Sequence, residues 1–490
     1  MKVGSSNSII SVLFVLFSVI LGVFSQEFEN FDKEIPATWQ NINIDKTLDV
    51  TKSYTKEILT ITAKNIESLP VAEYIQPISK ERTNDFALII GSYGTDGKSM
   101  LQINVFNNTA NEESEYNYLV VTFPAPIASG SQVDFQLQFV YLDQLKPMPD
   151  VLEMNGVQSV LLKTHKYPVS SYPIESYTLA ISGTNGKVEN LDQGKPQVND
   201  LPELKQETSN SKLVVFESEE QVTIPPFTVD YISLHFEKNQ PLLVAENLKR
   251  NVWISHWGDS VSFEEIYEVT NKIAKLKDGF SRLQWMQSKY TYTPGPYGLA
   301  FNMDLPNGFR EAYFTDLVGN VSTSKIVKNH LVLKPRYPLF GGWNYNFTIG
   351  WSNDLANFVK RSSDHNEKYI AKVPLLNGHA DMSYHNVEFS FYLPENAELL
   401  DIASPVPYED YSVTTEKSYL DFSGHTKVTI YYKNMIDEFK HSDVIVSYKY
   451  TSSDFLLKPF ITGSFLFIAL ISYLLITKID IAIDTRSEKK

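Results

Sequence analysis

Four groups of residues in this chain have types and spacings that could do chemistry. Gly91 to Ser99 reads Gly-Ser-Tyr-Gly-Thr-Asp-Gly-Lys-Ser, the composition of a phosphate-binding loop. The spacing fails, because five residues separate Gly91 from Gly97 where four are needed. Met100–Phe106 then reads as a strand, not as the helix whose N-terminus would hold a phosphate, so a hairpin turn at Asp96-Gly97 is expected. His379, Asp381 and His385 have even spacing and on one strand would share a face, where two imidazoles and a carboxylate could bind a metal. Asn377-Gly378 precedes them, and a surface loop is the plainer expectation. Glu217-Ser218-Glu219-Glu220 and Glu264-Glu265 could supply paired carboxylates. Neither has a neighbour that would split two carboxyl pKa values, so both are expected on solvated faces. No His-Glu-x-x-His or Gly-x-Ser-x-Gly occurs, and no catalytic residue, metal site or cofactor is expected. What remains is three Asn-x-Ser/Thr sequons, at Asn107, Asn320 and Asn346, as candidate glycosylation sites.

Composition narrows the setting. The net charge of −15 and the lack of a basic stripe argue against a nucleic-acid partner. The chain has no cysteine, which removes thiol nucleophiles, thiolate metal sites and disulfide staples. An ectodomain without staples must be held by apolar burial, and the 43% hydrophobic content allows it.

The ends say where the chain resides. Met1-Lys2 precedes the apolar run Ile9–Phe24, and the small Ser25 suits signal peptidase, so residues 1–25 are expected to be a signal peptide cleaved before Gln26. Pro459–Thr477 is nineteen residues without a charge, bracketed by Lys458 and Lys478. As a helix it spans about 28 Å, close to the hydrocarbon thickness of a bilayer. A cleaved signal followed by this segment predicts a type I protein with 478–490 as a cytosolic tail, and Lys478, Arg486, Lys489 and Lys490 agree with positive-inside bias. Lys489 and Lys490 are the last two residues, which is not the spacing of a dilysine retrieval signal.

Between the ends, period-two alternation dominates. Val133, Phe135, Leu137, Phe139 and Tyr141 alternate with polar residues, Val387, Phe389 and Phe391 do the same, and Val428–Tyr432 and Val444–Tyr450 are β-branched and aromatic. Asn307-Gly308 is a hairpin-turn dipeptide. Phe263–Leu276 is the best helical candidate, made ambiguous by Val269-Thr270. The fold class expected is mostly β: two lumenal antiparallel β-sandwich-like domains, 26–239 and 240–454, then one C-terminal transmembrane helix at 459–477. The polar stretch 185–212 is expected as a surface loop of the first domain, and no repeat of fixed period is visible.

Several unusual strings follow one another in the second half: Ser255-His-Trp-Gly258, Glu264-Glu265, Leu276-Lys-Asp-Gly-Phe-Ser-Arg282, Tyr313-Phe-Thr-Asp-Leu-Val-Gly-Asn-Val-Ser-Thr-Ser324 and Pro335-Arg-Tyr-Pro-Leu-Phe-Gly-Gly-Trp343. In this order they resemble the ribophorin I family, the first subunit of the eukaryotic oligosaccharyltransferase complex. The resemblance is diffuse over 26–240, although the overall plan agrees from end to end. It implies an endoplasmic-reticulum membrane protein that is an accessory, non-catalytic subunit. Its implied partners are the catalytic subunit, the small membrane subunits, the acceptor polypeptide and the lipid bilayer. Asn320 lies inside a family string and is the sequon the resemblance favours. Gly341-Gly342 before Trp343 suggests a tight turn beside a large buried ring, used for packing or docking. The competing readings are a secretory-pathway cargo receptor and a lumenal glycosidase.

Overall fold

The computed structural model describes residues 35–479 except 95–98, 107–114, 186, 193–200, 202–203, 210–212, 219–222, 292–294, 364–366, 418–420 and 422. The expected signal peptide, the Asp96-Gly97 turn, Asn107 and most of the tail lie outside the described residues. The fold is mostly β, with one long helix at its C-terminal end. The alternating segments are strands with their apolar side inward: Val133, Phe135, Leu137, Phe139 and Tyr141 are all buried, as are Val387, Phe389 and Phe391.

Two large sheets organise the chain, and they have the same topology. Counting only their strands, the first holds β1 (Trp39–Asp49), β2 (Thr55–Asn65), β3 (Phe86–Tyr93), β4 (Ser99–Met100), β5 (Gln132–Tyr141), β6 (Ile174–Ser182), β7 (Leu204–Ser209) and β8 (Leu213–Ser218). The second holds β9 (Leu243–Ser255), β10 (Ser260–Asn271), β11 (Arg310–Asp316), β12 (Gly319–Asn320), β13 (Asn344–Asp354), β14 (Met382–Glu395), β15 (Asp410–Glu416) and β16 (His425–Ile436). The spatial order is β7-β8-β6-β1-β2-β5-β3-β4 in one and β15-β16-β14-β9-β10-β13-β11-β12 in the other. In each, the leading hairpin is antiparallel and its first strand pairs in parallel with a strand far along the chain, β1 with β6 and β9 with β14. Among the described residues each half adds a four-stranded and a three-stranded sheet, filled from the chain in matching order. The halves are therefore a tandem duplication of one fold. No fixed period marks it, because the strands repeat while the connections differ in length.

Two apolar cores result, one built mainly from residues 39–236 and one from 243–450. They interlock, since Tyr54, Val140 and Leu142 of the N-terminal half belong to the C-terminal core. Leading strands β1 and β9 each carry a bulge, at Asn41/Asn43 and Ala245/Asn247. Aligning the bulges places Lys46 and Arg250 at the same strand position, and both side chains are buried. A cation inside the sheet core is thus a feature of both halves.

Several expectations need correction. Phe263–Leu276 is not a helix: Ser260–Asn271 is strand β10, whose Val261, Phe263, Tyr267 and Val269 face the core with period two. Glu265 shares that phase and is fully buried, so it does not lie on a solvated face. The polar stretch 185–212 includes two strands, Val188–Asn190 and β7, with Val188, Leu201 and Leu204 buried. Asn307-Gly308 does turn, with Gly308 at φ 78°, but it leads from the three-stranded sheet into β11 and closes no hairpin. The apolar helix runs from Ser452 to Lys478, beginning earlier than the uncharged segment because Thr451 and Asp454 form a capping box ahead of it.

Candidate functional site

Three of the family-like strings lie at joints, where one part of the fold meets another. Ser255-His-Trp-Gly258 forms the turn between β9 and β10 and meets the C-terminal helix. Pro459 stands in the first turns of that helix and has no N–H, so the carbonyl four residues earlier, on Phe455, loses its helical donor. The Trp257 indole N–H supplies it, donating to the Phe455 carbonyl at 2.9 Å. The Trp257 ring also stacks on Phe455, with centroids 5.4 Å apart and planes at 19°. One helical turn on, Lys458 reaches the Asp421 carboxylate at 2.8 Å, and Asp421 is itself close to His425. Below the turn, His256 bonds the Tyr448 hydroxyl at 2.8 Å and packs on Tyr369 and Tyr450. Burial pushes the His256 imidazole down to about 4, so it is neutral at physiological pH.

This clasp carries an expected result. Trp257→Phe keeps the stacking ring and removes the indole donor, leaving the Phe455 carbonyl unbonded. Opening of the first helical turns should become about tenfold easier, read as faster amide exchange between Ser452 and Gly463. Unchanged exchange would mean that the indole bond does not hold the helix.

The second joint lies at the far end of β10 and faces the N-terminal half. Pro335–Trp343 runs along Asn271–Lys275, with the Gly342 N–H on the Asn271 carbonyl at 2.8 Å. Gly341 is obligatory there, because a Cβ would meet the Ala274 carbonyl oxygen at 1.9 Å. The large ring beside this turn that is buried is Phe340, whereas Trp343 is half-buried. Asn271 is fully buried and binds Leu242, Pro296 and Leu339 through its side chain. Next to it, Ala274 N–H donates to Gln158, and Lys275-Leu276 pairs in parallel with Val151-Leu152 of the other half. Polar bonds extend this contact between halves. The Tyr54 hydroxyl donates to Asp437 at 2.7 Å, and Lys52 and Lys56 reach Asp437 and Glu438. Burial would raise the Asp437 carboxyl, but Tyr54 and Lys52 outweigh it and hold it below its ordinary value.

The third string forms the β11–β12 edge hairpin. Asp316 accepts the Arg336 Nε at 2.5 Å and the Val318 and Gly319 amides, while Arg336 Nη2 donates to the Gly319 and Asn320 carbonyls. Pro335-Arg336 therefore braces a turn whose Leu317 and Val318 are 89% and 80% exposed. Asn320 is exposed at the end of this turn, whereas Asn346 is half-buried within β13, opposite Glu268.

The remaining sequence candidates are dispersed. His379 bonds the Asn302 backbone, and His385 is held by Asp143 and Glu246, with the Asp143 bond raising its imidazole pKa first. The Asp381 amide donates to Asp437. Among the described residues no group of three His, Asp or Glu could hold a metal ion. Gly91 lies within β3, where a Cβ would strike Ile103, so it belongs to a sheet and not to a phosphate loop. Glu217 is exposed on β8, and Glu264 accepts the Tyr313 hydroxyl at 2.9 Å. Sequence reasoning missed the Trp257 clasp. A proline two turns into an apolar helix was its visible signal.

The family profile for Ribophorin I matches residues 39–477. The chain belongs to the ribophorin I family. Members similar to it include dolichyl-diphosphooligosaccharide–protein glycosyltransferase subunit 1 of Caenorhabditis elegans, 26% identical over 92% of this chain and 74% of that protein. Subunit 1 of Schizosaccharomyces pombe is 26% identical over 94% of this chain and 98% of its own length. Subunit 1A of Arabidopsis thaliana is 26% identical over 91% and 71%. Among solved structures, yeast LTA4 hydrolase aligns with 44% of this chain and 32% of that chain, at 14% identity and a TM-score of 0.25, a level from which nothing follows. Three of the strings that carried the resemblance are joints: helix to β-body, half to half, and brace to edge hairpin.

Proposed function

We propose that this chain is a non-catalytic subunit of dolichyl-diphosphooligosaccharide–protein glycosyltransferase. It supports transfer of a preassembled oligosaccharide from its lipid carrier to Asn in Asn-x-Ser/Thr of nascent polypeptides. The observation that carries the reading is the family match along residues 39–477, with animal, plant and fungal relatives named as subunit 1 of that enzyme. The helix Ser452–Lys478 anchors the chain in the endoplasmic-reticulum membrane, and both β-rich halves lie in the lumen. The helix meets the catalytic and small membrane subunits, while the halves face the acceptor polypeptide. The Trp257 clasp supports this arrangement, because it gives the body a defined attitude to the helix. Of the candidate sequons Asn320, Asn107 and Asn346, Asn320 is the first choice for a glycan, being exposed on a braced turn; Asn346 is half-buried within a strand.

The test is gentle detergent purification through a tag on the C-terminal tail, with the eluate assayed for oligosaccharide transfer to a sequon peptide. Transfer activity should co-purify, and replacing Asn320 by Gln should reduce the shift that removal of glycans produces on a gel. An inactive eluate from an otherwise active membrane extract would overturn the assignment and favour a cargo receptor.

A further inference from the structure

The C-terminal helix sets the level at which a bilayer would meet this protein, and so which parts of the body would touch it. Ser452–Lys478 has 27 residues, about 40 Å of helix at about 1.5 Å per residue. Its uncharged part, Pro459–Thr477, already matches a hydrocarbon core of about 30 Å. The residues just before Pro459 therefore stand in the headgroup layer, which adds roughly 5–8 Å on each side. Two connections of the body are fastened to the helix at that level. The Ser255–Gly258 turn holds Phe455, about 6 Å from Pro459 along the axis, through the Trp257 ring and indole N–H. The connection between β15 and β16 reaches Lys458 through Asp421, whose carboxylate accepts at 2.8 Å.

Trp257 is nevertheless 54% exposed, and Phe455 and Leu456 beside it on the helix are 38% and 59% exposed. The indole has a single polar atom, and the Phe455 carbonyl already accepts its hydrogen bond, so what the ring still exposes is hydrocarbon. The nearby charges are partnered too: Lys458 with Asp421 and Glu395, and Asp454 with the Thr451 amide. Covering this face with a layer poorer in water would strip none of these groups of a partner. The duplicated fold provides an internal comparison. The matching turn of the N-terminal half, between β1 and β2, docks on the C-terminal half with Lys52 and Tyr54 on Asp437. Its aromatic ring, Tyr54, is fully buried there. In the C-terminal half the ring of the same turn is held by the helix on one side and left open on the other.

We infer that, with Ser452–Lys478 spanning the membrane as proposed, the Ser255–Gly258 turn rests in the lipid headgroup layer and Trp257 anchors the β-body there. The body then touches lipid itself, apart from its helix. The occupant follows from depth: the clasp holds Trp257 at the level of Phe455 however the body is tilted. Tryptophan suits that layer, because its large ring gains from partial removal from water without needing the hydrocarbon core. A body fastened to its helix at one turn could still swing, and a second contact with the lipid surface fixes its tilt.

The experiment reconstitutes the full chain in phosphatidylcholine vesicles and follows tryptophan fluorescence with nitroxide-bearing lipids included. Flotation of the chain with the vesicles reports insertion of the helix. A nitroxide on the headgroup should quench the emission, and one at the end of the acyl chain should quench it less. Trp257→Phe should remove most of the headgroup quenching. Trp253→Phe, four residues earlier and stacked on Tyr392, should keep it, which preserves the test if Trp257→Phe loosens the helix. A floating chain with no headgroup quenching, or with quenching that survives Trp257→Phe or is lost in Trp253→Phe, would overturn the inference and leave the anchor standing. Failure to float would overturn both. In the purified complex the same Trp257-dependent quenching is expected; its absence there would give this face to a neighbouring subunit and overturn the inference.

Discussion

Replacing Glu265 with alanine is expected to destabilise the C-terminal half by about 3–5 kcal/mol, because it leaves a buried guanidinium without its counter-ion. The antiparallel register of β9 and β10 sets Arg250 directly opposite Glu265, with both side chains pointing into the core. They form an ion pair there, and the Tyr267 hydroxyl donates to the second carboxylate oxygen at 2.7 Å. The Arg250 guanidinium lies between 5.4 and 5.9 Å from the rings of Phe263, Trp351 and Phe389. Burial pushes Arg250 down to about 10, which still leaves it charged at neutral pH. Removing the carboxylate alone strands that charge among aromatic rings. Removing both charges, in Arg250→Met with Glu265→Leu, should recover most of the loss, since apolar residues of similar volume replace such pairs at little cost. Urea denaturation of the full chain reads both outcomes. A loss below about 1 kcal/mol for Glu265→Ala would mean that the pair is not buried as described.

Glu57→Ala is expected to act on the N-terminal half with similar force, and here pH gives a second reading. Glu57 accepts from two cations, Lys46 at 3.2 Å and Arg82 at 2.9 Å, and is buried with Lys46 while Arg82 is half-buried. Lys46 also donates to the His165 carbonyl, and Arg82 lies 3.7 Å over the Tyr141 ring. Burial alone would raise the Glu57 carboxyl, but Lys46 and Arg82 outweigh it and hold it at about 2. Burial lowers the Lys46 ammonium despite Glu57, so the stabilising ionisation belongs to the carboxylate. A carboxyl held below its unfolded value contributes stability that is complete above about pH 4.5 and is lost as pH falls toward 2. Glu57→Ala should therefore cost about 3–5 kcal/mol at neutral pH. Glu57→Gln should flatten the acid limb of the melting-temperature profile between about pH 4.5 and pH 2. An unchanged acid limb would assign that loss to other carboxylates.

Alternation made much of the fold legible. The strands at 132–141, 382–395 and 425–436 were readable because residues two apart share a face, which needs no knowledge of partners. The same rule held the signal for Lys46, Glu57, Arg250 and Glu265, each in phase with apolar neighbours. Charge at Glu264-Glu265 suggests solvent, and that inference fails at Glu265, where an opposing strand supplies the counter-charge. The ambiguous helical candidate at 263–276 is a strand for a related reason, because a run of mixed polarity suits either period until its pairing is known.

The sequence by itself determined the class: a long apolar helix at one end, a β-rich body without cysteine, and family strings in a fixed order. These follow from local properties such as hydropathy, period and motif spacing. Only the tertiary structure decided that the body is one fold used twice, since strand pairing between residues a hundred or more apart leaves no fixed period behind. Only it decided that three of the family strings are joints, because Trp257 and Phe455, for example, are 198 residues apart in sequence and share one hydrogen bond in space. The physical reason is common to both. A buried ion pair, a capped carbonyl and a braced turn are each completed by a group from elsewhere in the chain, and only folding brings those groups together.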